Sequence, residues 1–284
     1  MRRANAIQSE LRQTQIIEDL TEVFESIASM HIAKIHSRVV TSKEFFAELW
    51  QTYIGLRVDP SERLQRRHVT KGRNVLVAVT AEGKLSGDTD ERVIQALLEA
   101  HGNNNQEDII AVGARGAGLL QAAGVPVVAA LPLPVSDVSV NVSDLINALT
   151  DYDQISVFYQ TYESLRIQRV ARIELISAVR SLGEDVKEDV ETVSSQDYIF
   201  EPGINEIADY MESVMMGVAV IQIIMESKLS HYANRFNTMS AAKKRAGDLV
   251  DGFKLNYFRA KRSENDERAK EVLRINHKAL EGIA

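Results

Sequence analysis

The residues of this chain that could take part in chemistry are few and scattered. The run Gly113-Ala-Arg-Gly116-Ala-Gly118 follows a predicted strand and opens a predicted helix. In that setting backbone amides can bind a phosphate. Its G-x-x-G-x-G spacing differs from the dinucleotide-binding pattern, and no acidic residue ends the next strand. We therefore interpret it as a tight packing turn and keep a ligand site as the alternative.

Other candidate groups also lack the arrangement that chemistry requires. Gly83-Lys84-Leu85 superficially resembles a phosphate loop, but no glycine precedes it at the required spacing and no Ser or Thr follows the lysine. The histidines are His31, His36, His68, His101, His231 and His277. His31 and His36 are five apart and do not stack on one helix face. There is no cysteine. The sequence predicts no catalytic residue, no metal site and no cofactor.

Charge is unevenly distributed along the chain. The net charge is −7, yet Lys243–Arg262 holds seven basic residues against two acidic ones. We interpret this stretch as a solvated helix face or as a surface that faces an acidic protein. Nucleic acid is disfavoured as a partner because the whole chain is acidic. We also expect no signal peptide and no membrane span, because no continuous apolar window approaches about 18 residues.

The proline distribution indicates the elements that must position these groups. The five prolines are Pro60, Pro126, Pro132, Pro134 and Pro202. The first 59 and the last 82 residues therefore contain none. Proline breaks helices, so long proline-free stretches with apolar periodicity predict uninterrupted helices.

Apolar residues in both terminal stretches recur at steps of three and four. In the first stretch they are Ile7, Leu11, Ile17, Leu20, Phe24, Ile27, Ile35, Val39, Phe46 and Leu49. In the second they are Ile207, Met211, Val214, Met215, Val218, Ile221, Met225, Leu229, Tyr232, Phe236, Met239, Ala246, Val250, Phe253 and Tyr257. We predict two long helices, each of which buries its apolar stripe against the other.

The middle of the chain reads as alternating strands and helices. The predicted strands are 74–80, 109–113, 125–131, 154–159, 169–177 and 194–201, with helices at 91–100 and 117–123. Continuous apolar strands favour a mostly parallel sheet. The predicted fold class is α/β, with a long antiparallel coiled coil of the terminal helices and an inserted small Rossmann-like domain. The predicted domains are residues 1–58 (N-terminal shaft helix), 59–72 (connector), 73–203 (α/β foot domain) and 204–284 (C-terminal shaft helix).

Six short motifs follow one another along the chain. They are Leu20–Ser29, Thr80–Gly87, Val112–Gly116, Tyr198–Pro202, Ser230–Met239 and Asn256–Arg259. In the same order they resemble I-T-K-A-M-x-M-V-A-A, T-S-D-R-G-L-C-G-G, I-G-x-K/R-G, Y-x-F/Y-E-P, S-E-x-x-A-R-M-x-A-M and L-N-x-x-R of the gamma subunit of F-type ATP synthases. The chain departs from that family at Glu22 and Phe24, where lysine and methionine are usual. Its polar residues 263–267 also replace the terminal I-T-x-E-L, so it resembles a divergent member.

The resemblance implies a function and a set of partners. The protein would be the central rotor shaft, a non-catalytic subunit of a proton-translocating ATP synthase that couples ion flow to ATP synthesis or hydrolysis. One copy would contact the alpha and beta subunits of the catalytic ring, the epsilon subunit and the membrane c-ring, with no nucleic acid and no direct membrane insertion. The expected location is the cytoplasmic face of the bacterial plasma membrane.

The resemblance also implies which residues contact the other subunits. The candidate contacts with the catalytic ring are Glu22, Phe24, Arg235, Met239, Lys243, Lys244, Arg245 and Arg259. Leu85, Ser86 and Gly87 form a candidate turn of the foot domain. Two alternatives stay open from the residues alone: a coiled-coil adaptor or scaffold with an inserted α/β domain, and a nucleotide-binding enzyme that uses the Gly113–Gly118 turn.

Overall fold

The computed structural model describes residues 4–55, 72–83, 87–102, 107–137, 140–184, 201 and 203–281, without the side chains of 276–281. The helices are α1 (Ala4–Gly55), α2 (Thr89–His101), α3 (Ala114–Ala122), α4 (Ser143–Leu149), α5 (Leu175–Glu184) and α6 (Ile204–Glu281). The strands are β1 (Asn74–Val79), β2 (Asp108–Val112), β3 (Ala129–Leu131), β4 (Gln154–Tyr162) and β5 (Gln168–Glu174). The chain divides into two compact units: unit 1 is Met1–Ile27 with Phe236–Ala284, and unit 2 is Ala28–Arg235.

The two terminal helices are as long as the proline distribution predicts. Helix α1 has 52 residues and helix α6 has 78, and neither contains a proline. Both helices belong partly to each unit, because the division falls after Ile27 in α1 and after Arg235 in α6. The prediction of two long terminal helices around an α/β insert is confirmed.

Unit 2 is built on a five-stranded sheet with the order β3-β2-β1-β4-β5. The pairs β1–β2, β1–β4 and β2–β3 are parallel, and only β4–β5 is antiparallel among the described strands. The mostly parallel sheet predicted from the continuous apolar strands is therefore confirmed. The strand order reverses at β1, which has β2 on one side and β4 on the other.

Helices cover both faces of this sheet. Successive side chains of a strand point to opposite faces, so each strand contributes to two hydrophobic clusters. Leu76 and Ala78 of β1 pack with Val93 and Leu97 of α2. Alternate β1 residues pack on the opposite face against the unit 2 parts of both long helices, and the partners there include Phe46, Trp50, Met215, Val218 and Ile224. The middle of α6 therefore runs through a hydrophobic core.

The apolar character of α6 follows from that position. By length and composition, Ile204–Ile275 could cross a membrane, and its most apolar 18-residue window has a mean hydropathy of 1.5. The sequence analysis expected no membrane span, so an apolar window of this length differs from that expectation. However, 56% of the window is buried inside the protein, as in a helix that passes through a protein core.

Several predicted elements differ from those observed. Strand β3 is shorter than predicted, since Val125–Val128 stay outside it. The predicted strand over 169–177 is wrong at its end, where helix α5 begins at Leu175. Helix α4 was not predicted, and α3 begins at Ala114, earlier than expected. Most of the predicted strand over 194–201 lies outside the described residues.

In unit 1 the two long helices meet along a heptad seam, in which the least exposed positions alternate at steps of three and four. On α1 these positions are Ala4, Ile7, Leu11, Thr14, Glu18, Thr21 and Glu25. On α6 they are Phe236, Met239, Lys243, Ala246, Val250, Phe253, Tyr257, Ala260 and Glu264. The helices run antiparallel here: the Ala4 amide donates to Glu264 (2.9 Å), and Lys243 bonds Glu22 (2.9 Å).

The seam corrects the predicted apolar stripe of α1. Ile7 lies on it, but Ile17 and Leu20 are 54% and 52% exposed, and Phe24 also points outward. Thr and Glu occupy the seam in their place. Apolar residues do recur at steps of three and four over residues 16–27, but they form a face that points away from the seam. The stripe predicted for α6 in this unit does lie in the seam, where its side chains are buried or half-buried.

Candidate functional site

Helix α6 occupies the crevice at the carboxyl ends of the parallel strands in unit 2. In open α/β sheets ligands bind there, at the point where the strand order reverses. Here the Ser230 hydroxyl lies 3.3 Å from the carbonyl of Thr161, and the Asn234 amide donates to Gln160 (3.3 Å). Both partners belong to the last part of β4. A helix of the same chain therefore bonds to polar groups of this edge.

Lys228 is the central cation of this contact. Its ammonium donates to the carbonyls of Pro134 (2.9 Å), Val135 (3.3 Å) and Ser136 (3.2 Å) and pairs with the Asp137 carboxylate. The Lys228 and Asp137 side chains are 4% and 3% exposed. Protein oxygens take the place of water around this buried ammonium. The hydrogen bonds hold the segment that follows β3 in place.

The same carboxylate also binds helix α1. His31 Nδ1 lies 2.5 Å from the second oxygen of Asp137, and the imidazole stacks on Tyr232 with centroids 4.4 Å apart. Burial raises the pKa of Asp137, but the hydrogen bonds from Lys228 and His31 outweigh it, and the pKa lies below its usual value. The stabilisation by this ionised carboxylate is therefore lost when pH falls below the ordinary Asp range. We call His31, Asp137 and Lys228 the clamp.

His231 is a second buried titratable group on α6. Its Nδ1 is 3.8 Å from Asp90, and its Nε2 is 3.2 Å from the Ser227 hydroxyl. Burial lowers the pKa of His231 although Asp90 opposes this, so the imidazole is neutral in the folded protein.

The Gly113–Gly118 turn is filled by the protein itself. The Gly116 amide donates to Thr80 Oγ1 (2.9 Å), and the Arg115 amide donates to the Ala81 carbonyl (3.1 Å). The Ala114 amide faces the Glu82 carboxylate. The first amides of α3 therefore have protein acceptors where a phosphate would have to bind. The interpretation as a packing turn fits this geometry, and the nucleotide-binding alternative loses its site.

Arg235 lies beside a cavity of about 200 Å³ lined by Glu82, Leu133, Val135, Lys228 and His231, among others. Its guanidinium stands over the Tyr232 ring at 5.6 Å, and its buried Nε has no hydrogen-bond partner among the described residues. A half-buried cation beside an open cavity can receive an acceptor from outside the chain. The structure places this candidate residue in unit 2.

The other candidate ring contacts lie in unit 1. Lys243 bonds Glu22 (2.9 Å) and Glu25 (3.4 Å), so two of the predicted contacts pair with each other across the seam. The hydrogen bond to Glu22 raises the pKa of Lys243. Met239 is buried in the seam at 6% exposure. The exposed candidates are Glu22, Phe24, Lys244, Arg245 and Arg259.

The candidate foot-domain turn is described only in part. Gly87 is exposed and has φ +75°, a backbone conformation that favours glycine. Leu85 and Ser86 lie outside the described residues. Their role stays a prediction.

Unit 1 exposes a continuous apolar surface on α1. Ile16, Leu20 and Val23 follow one another at steps of four and three, and each is more than half exposed. Ile17, Phe24 and Ile27 flank them on the same helix. Apolar surface of this extent on a soluble protein marks a contact with another molecule.

Sequence reasoning missed the clamp. One signal was available, because Lys228 lies among the apolar positions Met225, Leu229 and Tyr232, where a lysine is rarely buried without a partner. Nothing in the sequence showed that the partner would be Asp137, which lies more than 90 positions away.

Comparison with known proteins agrees with this architecture. Residues 3–265 match the family model described as ATP synthase (ATP-synt). The chain belongs to this family. Within it the chain is a gamma subunit, and the function predicted from the sequence, the central rotor shaft of an ATP synthase, is confirmed.

Solved structures with the same fold come from ATP synthase rotors. A chain of the Tetrahymena thermophila mitochondrial ATP synthase central stalk and c-ring is 18% identical, with a TM-score of 0.57 over 78% of this gamma subunit and 99% of that chain. A chain of the Euglena gracilis mitochondrial ATP synthase (OSCP/F1/c-ring) is 14% identical, with a TM-score of 0.59 over 95% and 93%. These likenesses show the fold of the gamma subunit.

The packing turn of this gamma subunit gives the first test. A Cβ at Gly116 would lie 2.5 Å from Thr80 Oγ1 and 2.8 Å from Thr80 Cγ2, whereas a Cβ at Gly118 of the same helix meets no atom of the described residues within 4 Å. We expect Gly116→Ala to lower the free energy of unfolding by about 1–3 kcal/mol through overpacking. Gly118→Ala should raise it by about 0.5–1 kcal/mol through helix propensity. Denaturant titrations measure both, and equal effects would contradict the packing role.

The buried His231 gives a pH prediction. Its folded-state pKa lies below the ordinary value of 6.5. Below that pH the unfolded chain therefore binds a proton that the folded chain does not, and stability falls as pH decreases. We expect this residue to contribute a slope of up to about 1.4 kcal/mol per pH unit. Unfolding titrations from pH 7 downward should show a shallower slope in His231→Gln, and an unchanged slope would contradict the neutral imidazole.

Proposed function

We propose that unit 1 of this gamma subunit turns inside the catalytic ring of alpha and beta subunits. We propose further that the α/β domain of unit 2 forms a foot that contacts the epsilon subunit and the membrane c-ring. Family membership and the rotor folds described above support this arrangement. The observation that carries it is the outward apolar face of α1, since a helix pair packed only on itself would bury those side chains.

The distribution of polar and apolar residues in unit 1 suits a shaft inside a sleeve. The seam contains Thr14, Glu18, Thr21 and Glu25, while apolar side chains form an outward face of α1. The apolar side chains of this face offer no side-chain hydrogen bonds, so a surrounding ring can slide over them. Directional polar contacts lie between the two helices, where they oppose slippage of one helix along the other.

Charged side chains supply a second kind of contact. Arg235, Lys244, Arg245 and Arg259 offer cations toward acidic loops of the ring, and Glu22, Phe24, Met239 and Lys243 remain proposed contacts. Since Lys243 already pairs with two glutamates, it presents less free charge than its neighbours. Exposed ion pairs contribute little individually, so we infer broad steric and charge coupling over indispensable single bonds.

The mechanism requires an asymmetric and stiff rod. A rotor that presents different faces to three identical catalytic sites biases each site toward a different nucleotide affinity. Rotation then turns a cycle of binding free energies into ATP synthesis or hydrolysis. The gamma subunit itself performs no bond chemistry in this scheme.

The location follows from the complex. As part of an ATP synthase the chain is associated with a membrane, and we propose that it is held there by its partners without inserting into the bilayer. The proposed bacterial plasma membrane stays a sequence-based prediction, because the solved structures described above are mitochondrial. Coupling to protons also stays a sequence-based prediction.

Substitution of the outward apolar face tests the sleeve contact. In the triple variant Ile16→Gln, Leu20→Gln, Val23→Gln we expect assembly with alpha and beta subunits to weaken at least about tenfold, because roughly 1 kcal/mol of apolar burial is lost per residue. The isolated chain should unfold almost as before, since these side chains are exposed. Reconstitution titrations measure the first effect and thermal unfolding the second.

A matched control substitutes exposed polar positions of the same helix, Gln13→Ala with Ser26→Ala. This double variant should assemble like the unaltered chain. Equal assembly of the apolar triple variant and this control would contradict the sleeve contact.

Charge reversal tests the electrostatic contact. In Arg235→Glu, Lys244→Glu, Arg245→Glu together we expect ATP-driven ion pumping per ATP hydrolysed to fall to roughly half or less, because three cations facing acidic loops become repulsive. Pumping and hydrolysis are measured in vesicles that contain the assembled complex. The control Asp251→Lys with Lys254→Glu exchanges an exposed pair of α6 that is not among the proposed contacts, and it should retain coupling. Normal coupling in the triple variant would refute the charge contribution.

A further inference from the structure

The clamp joins three elements of unit 2 through one buried carboxylate. Asp137 lies in the segment after β3, His31 lies on α1 and Lys228 lies on α6. We propose that the clamp is the joint that fixes both long helices to the α/β domain, so that a turn of the domain is transmitted to both helices together. This proposal rests on the proposed rotor function and names positioning residues for it.

The bonding pattern of Lys228 supports a joint more than simple core filling. Its ammonium contacts the three consecutive carbonyls of residues 134–136 as well as Asp137, so four consecutive residues bond to the same Nζ atom. Each of these bonds depends on direction as well as distance. A hydrophobic residue at the same position would fill the space without fixing the rotation of α6 against the segment.

His31 extends the joint to α1. Its Nδ1 binds the Asp137 oxygen that Lys228 does not, and its ring lies parallel to Tyr232 of α6, at an angle of 1°. A single side chain of α1 therefore contacts both the α/β domain and α6. Further along α1, the Tyr53 hydroxyl donates to Glu212 of α6 (2.7 Å).

The surroundings of His31 explain why this tie matters. Near it α1 has outward-facing apolar residues such as Met30 (60% exposed), and its inward side chain Ile35 is fully buried against Met225 and Leu229 of α6, with Val140 packed against the same cluster. These apolar contacts have no directional bond, so the His31 bond supplies the directional part of the contact. The large buried aromatics of α1 follow later, at Phe46, Trp50 and Tyr53. Loss of the His31 bond should thus let the α1 segment near residue 31 adopt several arrangements, while the Ile35 cluster and the core around Trp50 keep the domain folded.

Distance measurements on the full chain test the joint directly. Because the protein has no cysteine, two spin labels can be placed uniquely at Lys34→Cys on α1 and Gln95→Cys on α2, both exposed. In His31→Ala we expect a distance distribution about twofold broader, since one ordered arrangement becomes several. His31→Gln, which keeps a donor, should restore most of the sharpness. His36→Ala, at an exposed position of the same helix, should match the unaltered chain.

Coupling in the assembled ATP synthase tests the role of the joint in rotation. We expect pumping per ATP hydrolysed to fall about twofold in His31→Ala and to recover in His31→Gln, while the thermal midpoint of the isolated chain changes little. Lys228→Met should have a larger effect on both readouts, and circular dichroism checks that it is folded.

Each outcome decides one part of the proposal. An unchanged distance distribution in His31→Ala would overturn the joint. A broad distribution with unchanged coupling would overturn its role in rotation and leave the joint. If the unaltered chain did not join an ATP synthase, the proposed function would fail, and the distance measurements would still decide whether the joint exists.

Discussion

The burial of α6 against the sheet is the contact on which unit 2 depends. Met215, Val218 and Ile224 enter the same core as alternate residues of β1 and the aromatic side chains of α1. A helix in that position must be apolar over several turns, which is why its composition alone would allow a membrane span. Because one helix provides so much of the core, the α/β domain cannot form its larger hydrophobic cluster without it.

The polar edge of the sheet shows how an α/β fold can serve a mechanical task. Where the strand order reverses, such folds usually leave a crevice for a ligand. Here Lys228, Ser230 and Asn234 of α6 fill it and satisfy the segment after β3 and the end of β4. Glu82 and Thr80 similarly accept the first amides of α3. In other α/β proteins these positions bind phosphates. In this chain they bond to helix α6 and to the first turn of helix α3.

The sequence was sufficient for the elements whose signal is local. Proline-free stretches predicted α1 and α6, and apolar runs predicted β1, β2 and β4. Strand β5 and helix α5 were confused because Arg169–Ser177 has β-branched residues but no proline or glycine at Glu174 to mark the change. The clamp and the pair of Lys243 with Glu22 could not be predicted, because ion pairs between distant residues depend on the register of packed helices. Periodicity alone cannot fix that register.

The outward apolar face of α1 in unit 1 is the strongest structural support for the proposed contact with a surrounding ring. Periodicity indicates that a helix has an apolar face but not what covers it. In residues 14–25 the seam holds threonine and glutamate while isoleucine, leucine and valine face outward. Such an arrangement would be unfavourable in an isolated helix pair, because apolar area stays in water. It becomes favourable when a sleeve surrounds the pair, so these residues are better explained by an assembly than by the chain alone.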